Sequence, residues 1–99
     1  MKVYQGRRIG RAAEVTVDGR ALNPRLDLWN HSPSGLEWGY VGSGPAQLAL
    51  ALLADCFDAE TAVEWHQQYK ESVVAGLPYR GWTLTEEEVR RELASLQTQ

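Results

Sequence analysis

The chain of 99 residues has one cysteine, one phenylalanine and one methionine. A lone Cys56 excludes an internal disulfide and makes a reducing, cytoplasmic setting the expectation. No apolar run approaches the ~18 residues of a membrane span, and the opening MKVYQGRRIGR has no apolar core of a secretory signal. Neither CxxC nor HxxxH spacing occurs, so no metal site and no cofactor are expected. Repeats, linkers and low-complexity stretches are missing as well, and the reading is one domain over residues 1–99. With 43% hydrophobic and 23% charged residues, the composition is that of a folded globular chain.

The charge that is present is unevenly spread. Residues 1–30 carry six basic groups against three acids, and residues 31–99 carry four against ten, within a net charge of −3. A basic strand region on an acidic body either steers an anionic partner or forms a solvated edge that resists strand-to-strand aggregation. The pI of about 5.3 argues against nucleic acid as the partner. The aromatic set is equally biased, with four Trp and four Tyr. Such rings carry a polar handle and suit half-buried positions and interfaces.

Period-two patterning fills the first half. Lys2–Gln5 reads as a short strand ending at Gly6, followed by a basic loop. In AAEVTVDGRAL, Ala13, Val15 and Val17 alternate with polar residues, and Asp18-Gly19 is a two-residue type I′ turn. That register pairs Val17 with Arg20 and sets Val15 beside Leu22. Asn23-Pro24 breaks the strand. Residues 26–29 and 36–40 each alternate, and the turn chemistry of HSPSG between them suggests a second hairpin with Leu36, Trp38 and Tyr40 facing the core.

At VGSGP the period becomes helical. Pro45 fits a first helical turn with Ser43 or Gly44 as cap, and Ala46–Phe57 is apolar nearly all round, as in a helix buried by other elements. Asp58 caps a second helix reaching about Ala75, with Ala59, Ala62, His66, Tyr69 and Val73 on one stripe. Gly76-Leu77-Pro78 stops it, and YRGW reads as a loop or a short extended piece. Thr85 and Glu88 form a capping box for a third helix, with Leu84 stapled onto Val89. The fold class is α+β: a small antiparallel sheet of about four to five short strands in the N-terminal half, packed against about three C-terminal helices.

The strongest candidate site is the glycine-rich loop. Gly42, Ser43 and Gly44 enter a helix N-terminus, whose free N–H groups and dipole suit an anion, and Arg8 and Arg25 would add charge-assisted bonds. The competing explanation is a tight connection in which glycines only make steric room. The loop lacks the Walker lysine and the dinucleotide fingerprint. His31 and Ser32 are a second polar candidate, since a serine beside a histidine can serve a hydrolase, but adjacent residues on one turn rarely point at each other. With His66 and Cys56, His31 would make three ligands for zinc without supporting spacing. Trp29, Trp65 and Trp82 would form a protein-binding patch if two of them shared a surface, or else seal the boundary between sheet and helices.

Three functions follow. The first is a non-enzymatic binding module for a small anionic ligand at the glycine loop, with no catalytic residue assigned. The second is an interaction or inhibitor protein, a homo-oligomer included, using tryptophans and acidic helices. The third is a small hydrolase using His31 and Ser32.

The run His31-Ser32-Pro33, Gly35, Trp38-Gly39-Tyr40 and Gly42 to Ala51 resembles the signature of a family of small prokaryotic and phage proteins of unknown function. Tyr4-x-Gly6-x-Arg8, Val15 to Gly19, Tyr69 to Val74, Leu77-Pro78 and Trp82 to Thr85 match it too. The resemblance covers nearly the whole chain and implies a complete single-domain protein, with no activity attached. It also implies an aromatic where His66 stands, which weakens His66 as a ligand.

Overall fold

The computed structural model describes residues 1–99. Four strands form one antiparallel sheet in the order β3-β2-β1-β4, with β1 Val3–Ile9, β2 Ala12–Val17, β3 Arg20–Ala21 and β4 Gly81–Thr85. Three helices share one core with the sheet: α1 Ser43–Cys56, α2 Ala59–Ser72 and α3 Glu86–Gln97. The chain is thus α+β, with three strands from the N-terminal part and a fourth supplied between α2 and α3. No helix is long and apolar enough to cross a membrane.

The Asp18-Gly19 turn forms as its residues demand, with φ of 50° and 82°. Val17 pairs with Arg20, and the Leu22 N–H donates to the Val15 carbonyl at 3.0 Å. Alternation then sets the faces. Tyr4, Val15, Val17, Trp82 and Leu84 are buried against the helices, while Val3, Gln5 and Arg7 face water.

β1 does not stop at Gly6, as the sequence suggested, but runs on to Ile9. Gly6 is a mid-strand position whose missing side chain is filled by Trp82: a Cβ there would lie 2.4 Å from the indole ring. The turn comes instead at Gly10-Arg11, with Gly10 at φ +62°. The YRGW stretch, read as a loop or short extended piece, contributes the start of β4, and Gly81 packs against the Gly6 carbonyl.

α1 is the centre of the molecule. Leu48, Leu50, Leu52 and Leu53 are all fully buried, as an all-round apolar helix requires. Its cap is Gly42 rather than Ser43 or Gly44, because the Gly42 carbonyl already accepts from the Ala46 N–H at 3.0 Å. Pro45 sits in the first turn, where its missing N–H costs nothing. Asp58 caps α2 by accepting from the Thr61 N–H at 2.7 Å, and Thr85 with Glu88 forms the reciprocal capping box of α3.

The second hairpin does not exist. The Asn23 side chain accepts from the Arg25 N–H at 2.9 Å, and Arg25 takes a left-handed φ of 57°, which coils residues 25–29 into a turn. Residues 36–40 run over the start of α1 without strand pairing. Trp38 is fully buried and stands edge-on to Trp82, but Tyr40 is half exposed, against the expectation that it faced the core.

Candidate functional site

Residues 22–42 have no regular ladder, so side chains must satisfy their backbone groups. Gln47, on the fully buried side of α1, does most of this. Its Oε1 accepts from the His31 and Ser32 N–H groups at 2.8 and 3.1 Å, and its Nε2 donates to the Pro24 and Trp29 carbonyls at 2.6 and 3.0 Å. Every hydrogen-bonding position used here belongs to one amide. The Trp38 indole N–H ties the far end of the segment to the Pro78 and Tyr79 carbonyls, each at 3.0 Å.

The segment so held, together with the Gly10-Arg11 turn and the start of α1, encloses a polar cleft of about 350 Å³. Its lining includes Arg11, Ser32, Ser34, Glu37, Tyr40, Ser43 and Gly44. The Ser43 and Gly44 N–H groups have no hydrogen-bond acceptor within the chain, as expected at an uncapped first turn. Gly44 is also a steric necessity, since a Cβ there would lie 2.7 Å from Glu37 Cβ.

The expected arginines do not converge on this loop. Arg8 points to the helix side of β1 and is clamped: Nη1 meets both Glu37 carboxylate oxygens at 2.8 and 2.9 Å, and Nε donates to the Tyr79 carbonyl at 3.0 Å. Its guanidinium lies 4.3 and 4.0 Å from the Trp38 and Tyr79 ring centroids. Its charge therefore holds the Glu37 carboxylate in the cleft wall rather than a ligand. Arg25 lies beside Ala51, Ala54 and Asp55, toward the other end of α1, and pairs with Asp27. The arginine at the cleft is Arg11, which the sequence reading left in a basic loop and which makes no ion pair within the chain.

His31 and Ser32 do not form a nucleophile-and-base pair. The Ser32 hydroxyl donates to the Gly35 carbonyl at 2.8 Å, closing the turn, and His31 turns the other way, its Nε2 2.9 Å from Nε2 of His66. Trp29 stacks on His31 at 4.9 Å. Burial, then the neighbouring His66 ring and the Lys70 ammonium, hold the His31 pKa below its ordinary value.

Cys56 is remote from this pair, with its Sγ against the Glu86 carbonyl, so the three-ligand zinc grouping does not form. Burial pushes its thiol up, as expected of an inert core cysteine. Of the three candidate tryptophans, Trp82 is buried against Trp38, Trp65 is half-buried against the core, and only Trp29 is substantially exposed.

Fold and cleft define a small α+β domain with one polar recess at the entrance of its central helix. The chain belongs to a family of unknown function, DUF6166, whose family model matches residues 4–95. No match was found among curated proteins or among solved structures.

Proposed function

We propose that the chain is a single-domain, non-enzymatic binding module that takes a small anionic ligand in the cleft at the start of α1. The observation that carries this reading is the cleft itself, where the unbonded Ser43 and Gly44 N–H groups and the unpaired Arg11 guanidinium border one recess. The Ser34 and Ser43 hydroxyls and the Tyr40 phenol supply further polar contacts. The Glu37 carboxylate in the wall repels a bare polyanion and favours an anion that also carries a hydroxyl or ammonium donor. The proposed ligand is thus small, carboxylate- or phosphate-bearing, and itself a donor. Residues 32–44 supply most of the cleft lining, which supports reading that segment as a recognition element.

A thermal-shift panel of phosphate, hydroxy acids, amino acids and nucleotides tests this. A ligand at about 100 times its dissociation constant adds about 2.7 kcal/mol to stability. A rise with one class, abolished by Arg11→Ala or Ser43→Asp, is the expected result. A panel flat for every class would leave the glycines as architecture only.

A further inference from the structure

The His31–His66 contact has a defined proton arrangement. His66 Nδ1 lies 2.9 Å from the Ala62 carbonyl and 3.0 Å from the Val63 carbonyl, both acceptors, so this nitrogen carries a hydrogen. In the neutral ring Nε2 is then an acceptor, and the 2.9 Å contact is donated by the His31 Nε2–H. The ring centroids are 5.0 Å apart, so the two nitrogens meet nearly end-on. An ion held between them in that arrangement would need about 4 Å of separation, which rules the pair out as a ready metal site.

A proton from solvent can add to His31 Nδ1 and leave the bond in place. A second proton has only His66 Nε2, where it would meet the His31 N–H head-on. The pair therefore tolerates one proton and is broken by two. Nothing nearby offsets the added charge: Trp29 from the loop and Gln47 from α1 are uncharged, α2 brings the Lys70 ammonium, and no carboxylate lies within ion-pair distance of either ring.

His31 is followed directly by Ser32, Ser34, Gly35, Leu36 and Glu37, one wall of the cleft. We infer that the His31–His66 pair is a proton-operated latch on this wall, holding residues 31–37 against α2 at neutral pH and releasing them when both rings are protonated. Acid then loosens the cleft. The functional meaning of the latch rests on the cleft being the binding site; its mechanics do not.

Amide hydrogen exchange between pH 7.5 and about pH 4.5, corrected for the intrinsic rate, tests it. Opening of residues 29–37 should rise by up to about tenfold per pH unit for one proton and a hundredfold for two, while the β1–β2 hairpin stays protected. His66→Phe, which keeps a ring in the buried site, should remove the acid dependence. Flat protection across the range, or the same dependence in His66→Phe, overturns the latch. Should that variant fail to fold, NMR titration of the wild-type imidazoles decides: two coupled steps support the latch, and two independent ordinary titrations overturn it. Melts with hydroxy acids and amino acids at pH 7.5 separate the two ideas. No shift despite an acid-dependent exchange removes these ligands from the cleft and keeps the latch, whereas a shift with flat exchange removes the latch alone.

Discussion

The β1–β2–β3 meander and the 22–42 segment are of similar length and reach order in opposite ways. In the meander each residue is placed by its neighbours: a left-handed turn at Asp18-Gly19, another at Gly10, and a ladder between them. In the 22–42 segment almost nothing is placed by neighbours beyond single turns. One buried amide, one indole and one carboxylate, all contacting residues far along the chain, hold it down. The cleft is built from the second kind of order. Surfaces that recognise ligands are commonly irregular loops set on a rigid scaffold, and here the scaffold reaches out from α1 to fix the loop.

The contrast can be broken from either side. Leu50→Ala, deep in α1, should cost about 2–5 kcal/mol and lower both regions together, seen as one cooperative shift in chemical denaturation. Gln47→Ala leaves four backbone groups, one buried and three part-buried, without partners and should cost about 3 kcal/mol. Unlike Leu50→Ala, its damage should concentrate in residues 24–32, which limited proteolysis would report as a new cleavage region. Gly6→Ala drives a methyl into the Trp82 ring and should cost about 1–3 kcal/mol, with a change in near-ultraviolet circular dichroism from the Trp38–Trp82 pair. Thr85→Ala removes the α3 cap and should cost about 1 kcal/mol, leaving the cleft untouched by ligand melts.

The smallest expected effect on global stability is that of pH. The folded His31 has a lowered pKa, so the unfolded chain binds the proton more readily. Stability from this group is therefore full above the ordinary value of 6.5 and falls as pH drops through the folded pKa. Melting temperatures taken from pH 7.5 downward should decline first in wild type and later in His66→Phe.

What the sequence disclosed follows the same division. The Asp18-Gly19 turn, the Asp58 cap, the Thr85–Glu88 box and the all-round burial of α1 are local rules, and each was legible. Gly6 was misread because a glycine that makes room for a distant indole looks the same as one that ends a strand. Residues 26–29 and 36–40 alternate in hydrophobicity, yet alternation says only which side chains want burial; Trp38 finds it against Arg8 and Trp82 without any strand. The glycine loop was legible as a helix entrance because that chemistry is local. Arg8 and Arg25, expected beside it, are paired elsewhere, because which guanidinium reaches the loop depends on strand register and on the Glu37 partner of Arg8. Gln47 and His66 sat inside helical patterns where nothing nearby marks a polar residue as a staple. A buried glutamine on an otherwise apolar helix was the one available clue.

The most direct test of this account is residue-resolved hydrogen exchange in wild type and Gln47→Ala at neutral pH. Protection lost at His31 and Ser32, and kept in the β1–β2 hairpin, is the result expected if one buried amide fixes the cleft wall. Loss spread evenly over both regions, or none at His31 and Ser32, would contradict it.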